Sequence, residues 1–165
     1  MKINPENIII KVAKEKDLKN LKFDCGDNDL NDFLLKDSVK NIKHNLNVIY
    51  ICELKKDVIA FFALSTDSVK INTKIEIKYP VYPAIKIGRL AVDKKYQGNN
   101  VGSILIKWIM GICFSLRKSI GIRFLSVDAY PKSIDFYEKN LFEKLECKPR
   151  KFIPMFRDLN KKKKR

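Results

Sequence analysis

In "GRLAVDKKYQGNNVGSILIKWI", residues 88 to 109, a strand-like run (Arg89-Leu90-Ala91-Val92) meets a polar turn, Gln97-Gly98-Asn99-Asn100-Val101-Gly102, which opens a long apolar stretch. A tight turn feeding a helix leaves backbone N–H groups pointing outward at the helix start, where the helix dipole adds partial positive charge. Such a turn is a natural seat for an anion. Other chemistry has little to work with. The single histidine, His44, sits in "VKNIKHNLN" at the expected end of a helix, and nothing around it supplies a nucleophile and an orienting group. A Ser-His-Asp or Cys-His centre therefore finds no support. Cys25, Cys52, Cys113 and Cys147 lie far apart without a CxxC pair, so no metal is expected, and the scattered thiols point to a reducing compartment.

The elements that must position the turn follow from hydrophobic periodicity. "NIIIKVA" predicts a strand, and "FDCGDNDLNDFLLKDSVKNIKHN" a helix capped by Asp27 with Leu30, Phe33, Leu34 and Val39 at helical spacing. "NVIYICEL" and "DVIAFFALSTDSVKI" form a hairpin through the turn "KKD". "YPVYPAIKIGRLAVD" is extended, with Pro80 and Pro83 confining its start to a loop or edge. After the glycine turn, Val101, Leu105, Trp108, Ile109 and Ile112 are expected on one buried helix face. "IRFLSVDAY" reads as a strand, "PKSIDFYEKN" as a helix opened by Pro131, and "LFEKLECK" and "RKFIPMFRDL" as closing strands. Alternation of this kind argues a mixed α/β sheet with helices on both faces.

Composition bounds the function. A chain of 165 residues, 45% hydrophobic and without internal repeats or linkers, suits one compact domain. The longest apolar run, Ile104 to Leu116, is interrupted by Lys107 and too short to span a bilayer, and the N-terminus lacks the features of a signal peptide. A soluble, cytoplasmic protein without membrane contact is expected. The net charge is +15; the tail "KKKKR" carries five positive charges and leaves +10 on the rest. A body this basic favours polyanionic partners, although A/T-rich coding bias yields the same Ile-, Asn- and Lys-rich composition.

Taken together, the order of elements, "RLAVD" running into "QGNNVG", and the downstream pair Phe136-Tyr137 in "DFYEKNLF" resemble the GNAT acetyltransferases. Asn100 stands at the motif's first glycine and Leu141 at the glycine that usually follows the tyrosine helix. Asn is the non-glycine residue that best tolerates the left-handed region, and Asn140 is expected to serve the second turn likewise. The resemblance implies a single-domain α/β fold, with a mixed, mostly antiparallel central sheet flanked by helices. It places an acetyltransferase domain over residues 1–158 and a basic, disordered tail over 159–165. "FDCGDNDLNDFL", "FFALSTDSV" and "IGRLAVD" are further similar to the GNAT toxins of bacterial toxin–antitoxin pairs, which acetylate the α-amino group of aminoacyl-tRNA and are held by a ribbon-helix-helix antitoxin.

On that resemblance the anion is the pyrophosphate of acetyl-coenzyme A, bound by Gln97, Gly98, Asn99, Asn100, Val101, Gly102 and Ser103. Leu90, Ala91 and Val92 would hold the pantetheine arm, with a backbone N–H near Val92 facing the thioester carbonyl. Arg89 is the candidate on the substrate or tRNA side. Tyr137 matches the general acid that protonates the departing thiolate, its ring directed to a different side of the helix from Phe136. A free α-amine, with a pKa of about 7.7–8.0, is partly neutral near physiological pH, so the lack of an obvious base favours such an acceptor over lysine. Acetylation of a small or protein amine, and a weakly catalytic acyl-coenzyme A- or nucleic-acid-binding module, stay open as alternatives, as does a homodimer.

Overall fold

The computed structural model describes residues 3–71, 78–146 and 151–161, so Cys147 and the tail residues from 162 onward lie outside the described residues. Twelve elements follow in chain order: β1 (Ile9–Val12), α1 (Glu15–Leu18), α2 (Asn28–Asp32), α3 (Ser38–Lys43), β2 (Val48–Leu54), β3 (Asp57–Val69), β4 (Tyr82–Val92), α4 (Val101–Leu116), β5 (Phe124–Ala129), α5 (Ile134–Lys139), β6 (Glu143–Lys144) and β7 (Ile153–Asp158). The sheet order is β1-β2-β3-β4-β5-β7-β6. β4 and β5 pair in parallel, while β1 with β2, β2 with β3, β5 with β7 and β6 with β7 pair antiparallel. This is the mixed, mostly antiparallel sheet expected. Among the described residues no helix is long and apolar enough to cross a membrane, and no three His, Cys, Asp or Glu side chains gather as a metal site.

The chain forms two compact units, residues 1–65 with 88–105 and residues 66–87 with 106–165. In the first, Asp27 caps α2 as expected, its Oδ1 accepting from the Leu30 N–H at 3.3 Å. A π-helical turn over Phe33–Asp37 joins α2 to α3, which periodicity had merged into one helix. Phe61 anchors the core of this unit: Phe23 meets it edge-on at 5.4 Å and Phe33 stacks on it at 6.1 Å, beside buried Leu34, Ile49 and Ile51. Burying each such side chain contributes about 1.5–3 kcal/mol.

In the second unit Phe124 is the anchor, with Tyr82 and Phe156 each edge-on at 5.5 Å and Val69 and Ala84 packed around them. Buried Ser126 donates to Asp67 Oδ2 at 2.5 Å. Leu159, within the stretch assigned to the tail, is buried, and its carbonyl accepts from Arg117 at 3.3 Å.

One expected burial is corrected. Val101, Leu105 and Ile109 are buried, but Trp108 is 46% exposed. The buried face of α4 centres on Leu105, Ile109 and Cys113, which puts Trp108 at its edge. α4 carries apolar residues outside that face too, exposed Phe114 and Leu116 among them, so spacing leaves the rotation undetermined.

Candidate active site

β4 delivers Arg89, Leu90, Ala91 and Val92 to the start of the turn, all within the first unit. Asp93 then closes a 3-10 turn over Lys94–Tyr96: its Oδ1 accepts from the Lys95 N–H at 3.0 Å, and its carbonyl accepts from the Tyr96 and Gln97 N–H groups at 2.8 and 3.1 Å. Gln97 spends its side chain on the backbone, with Nε2 donating to the Val92 carbonyl at 2.8 Å.

Gly98 and Asn100 both adopt the left-handed region, with φ of 75° and 63°. Asn99 between them donates through Nδ2 to the Tyr96 and Gln97 carbonyls at 3.2 and 2.9 Å. Asn100 is thus held at the motif's first glycine position in the conformation that glycine serves, and its carbonyl accepts the first helical bond, from the Ile104 N–H at 3.2 Å. Alternating backbone conformations of this kind turn successive N–H groups toward one point, a concavity suited to anions.

The electrostatics agree. The first turn of α4 contains no acidic residue, and residues 94–127 hold no Asp or Glu at all. Helix starts ordinarily attract such residues, so their absence leaves the positive end of the dipole to an external anion. The donor set of Gln97 to Ser103 fits a pyrophosphate, which makes few demands beyond convergent N–H groups and positive potential.

Arg89, on β4, has a half-finished environment. Its guanidinium lies 5.1 Å from the centre of the Phe33 ring, Nη1 donates to the Gly88 carbonyl at 2.9 Å, and Asp29 is 4.0 Å away. Its Nε is buried without a hydrogen-bond partner, although the side chain as a whole is 39% exposed. A phosphate could meet only the exposed part of the guanidinium, since Nε has no accessible surface.

Tyr137 belongs to the second unit, on α5. It is buried, with Phe136 and Phe142 edge-on at 5.0 and 5.2 Å, and burial pushes its hydroxyl pKa well above the usual phenol value. Of the two rings, Phe136 is only partly covered and Tyr137 is the enclosed one. α5 ends as the glycine-terminated helix would, yet without glycine. The Phe142 N–H donates to the Tyr137 carbonyl at 3.0 Å and the Leu141 N–H to the Glu138 carbonyl at 2.9 Å, the two bonds of a Schellman motif. Leu141 itself takes φ of 66°, whereas Asn140 stays at −95°. The expectation that Asn140 would absorb the left-handed turn is overturned, because the helix ends one residue too late for it.

Sequence reasoning missed Asp93, Asp24 and Gly26 as parts of the site. Gly26 in "DCGD" signals a turn, but no local pattern signals that this turn faces residues 92–97.

A strand, a left-handed turn and an acid-free helix start make an anion seat that a pyrophosphate fits. The sequence profile of the acetyltransferase (GNAT) family matches residues 12–141, and the chain belongs to that family. It is therefore an acetyl-coenzyme A-dependent acetyltransferase. The chain is 30% identical over 142 residues to a tRNA-acetylating toxin of Mycobacterium tuberculosis (strain ATCC 25618 / H37Rv), covering 82% of this chain and 85% of that protein. Among solved structures, AtaT complexed with acetyl-methionyl-tRNAfMet matches with a TM-score of 0.80 at 24% identity, covering 92% of this chain and 94% of the other. A mutant AtaT toxin bound to the C-terminus of the antitoxin AtaR and acetyl-CoA matches with a TM-score of 0.76 at 24% identity, covering 92% and 93%.

Proposed function

We propose that this protein acetylates the α-amino group of aminoacyl-tRNA and acts in the cytoplasm as the toxin of a toxin–antitoxin pair, held by a ribbon-helix-helix antitoxin. The observation that carries the reading is the 30% identity, over most of both chains, to a protein described as a tRNA-acetylating toxin. The net charge of +15 and the open guanidinium of Arg89 suit a nucleic-acid acceptor. A homodimer fits the same reading.

Acetyl-coenzyme A supplies the acetyl thioester. Gln97 to Ser103 bind its pyrophosphate through backbone N–H groups, and Leu90, Ala91 and Val92 align the arm by backbone pairing. Arg89, propped on Phe33, takes a phosphate of the acceptor end. Tyr137 gives its hydroxyl proton to the departing thiolate; its raised pKa keeps that proton in place throughout the physiological range. The acceptor amine loses its proton to solvent, which an α-amine of pKa about 7.7–8.0 does without a strong base.

A small-amine acceptor would need an acidic groove. Among the described residues of the second unit, a groove of about 590 Å³ is lined by Asp67, Asp128, Glu143 and Glu146, but Lys70, Lys86 and Lys144 line it too. Lys86 holds Asp128 at 2.6 Å and Ser126 holds Asp67 at 2.5 Å, so its carboxylates are largely committed. The nucleic-acid reading keeps the lead. Incubation of the protein with labelled acetyl-coenzyme A and either charged or uncharged tRNA tests it: label is expected on charged tRNA alone. Equal label on both, or on neither, rejects the acceptor.

A further inference from the structure

The segment Phe23–Gly26, part of the "FDCGDNDLNDFL" motif, has no role in the mechanism above. It nevertheless bonds residues 93, 94 and 97, which lead into the cofactor turn. The Asp24 N–H donates to Asp93 Oδ2 at 3.0 Å, and the Asp24 carbonyl accepts from the Lys94 N–H at 2.9 Å. The Asp24 carboxylate takes Lys94 Nζ at 2.9 Å, and the Cys25 carbonyl takes Gln97 Nε2 at 2.9 Å. Residues about 70 positions apart are thus joined by four hydrogen bonds that run in both directions.

The segment is itself braced. Asp24 Oδ1 accepts from the Gly26 N–H and from Asn31 Nδ2, both at 2.9 Å, while Asn31 Oδ1 accepts from the Cys25 N–H at 3.0 Å. Gly26 sits at φ of 84°, and a Cβ there would lie 2.8 Å from Lys94 Cε. Asp93, 8% exposed, divides its two oxygens between the segment and the turn. Lys94 holds the Asp24 carboxyl down at about 2, so the pair stays charged at any working pH.

Taking the anion seat proposed above as given, we infer that Asp24 and Asp93 are positioning residues that set acetyl-coenzyme A affinity by holding the Gln97–Gly102 turn in its anion-binding form. Both carboxylates are spent on bonds between the segment and residues 93–95, and would repel the cofactor's phosphates if freed. Their work is done through the backbone of residues 94–97, whose geometry fixes where the left-handed pair Gly98 and Asn100 begins. In the free turn the N–H groups would have to converge at the moment of binding, at an entropic cost the clamp removes.

Isothermal titration of coenzyme A into the full chain reads this without turnover. Asp24→Ala is expected to raise Kd about tenfold and Asp93→Asn by at least as much, with kcat at saturating acetyl-coenzyme A within about twofold of wild type. Asp93→Asn keeps the shape of the side chain but turns an amide N–H toward one of two N–H donors, so the fold survives while the clamp is spoiled. Asp17→Ala, which breaks the half-buried pair with Lys11 (3.3 Å) in the same unit, is expected to leave Kd unchanged. A wild-type Kd in Asp24→Ala and Asp93→Asn, whatever their melting temperatures, overturns the inference alone. No binding by the wild-type chain overturns the anion seat and the inference together.

Discussion

Tyr137 is where the chemistry is most exposed to a single-atom test. Tyr137→Phe removes the hydroxyl and keeps the ring that packs on Phe136 and Phe142. Its acetyl-transfer rate in single-turnover assays should fall by about 10²-fold or more, with melting temperature and coenzyme A affinity little changed. A wild-type rate would make Tyr137 a packing residue. The pH profile follows from the direction of its shift. A phenol whose folded pKa is raised keeps its proton until pH rises beyond the ordinary value of about 10. kcat/KM on an α-amine acceptor should therefore rise through about pH 7.7–8.0 and stay level to pH 10; a fall near pH 9 would assign the proton to another group. Leu141 offers a stability test four residues on. A side chain at φ of 66° costs about 1–2 kcal/mol, partly offset by the flexibility glycine adds to the unfolded chain. Leu141→Gly should raise stability by up to about 1 kcal/mol in urea unfolding, and a loss would show that the exposed leucine makes contacts worth more than its strain.

At the scale of elements, the decisive unit is β4, turn and α4 acting together. On the proposed reading the strand would bring backbone to the arm of the cofactor, the left-handed pair would aim the N–H groups, and the acid-free first turn of α4 would supply potential. Saturating acetyl-coenzyme A should raise the melting temperature of the wild-type protein, as any ligand of the native state does. Gly102→Asp sets a carboxylate in the first turn, where it would stabilise the free helix and repel phosphate. The variant should fold at least as well and lose the ligand-induced shift. A preserved shift would move the phosphate seat elsewhere.

For the molecule as a whole, charge governs the acceptor. With 34 Lys and Arg against 19 Asp and Glu, binding of tRNA should weaken about tenfold or more between 50 and 200 mM salt, because each neutralised phosphate releases counterions. Removing Lys161 to Arg165 should lower tRNA affinity without abolishing it, since most of the positive charge lies upstream. Lys161 also pairs with Glu143 at 2.6 Å, so the deletion frees one carboxylate. Filter binding across a salt series separates the cases: a flat salt dependence would remove nucleic acid from the list of acceptors.

What the sequence determined by itself was the part encoded locally. Periods of two and of 3.6 residues placed the strands and helices and Asp27 announced its helix, because each depends on neighbours within a few positions; the candidate turn and Tyr137 came instead from the resemblance of "RLAVD", "QGNNVG" and Phe136-Tyr137 to one family. Other features came only from the tertiary structure. The facing of Trp108 depended on which side of a helix with apolar residues on several faces met the core. The left-handed turn fell to Leu141 rather than Asn140 because α5 runs one residue further than side-chain preference suggests. The clamp of Asp24 and Gly26 on residues 93–97 joins segments about 70 residues apart, through backbone groups that every residue carries alike. Main-chain hydrogen bonds across such a distance leave no pattern in side-chain types, and only the folded chain brings them together.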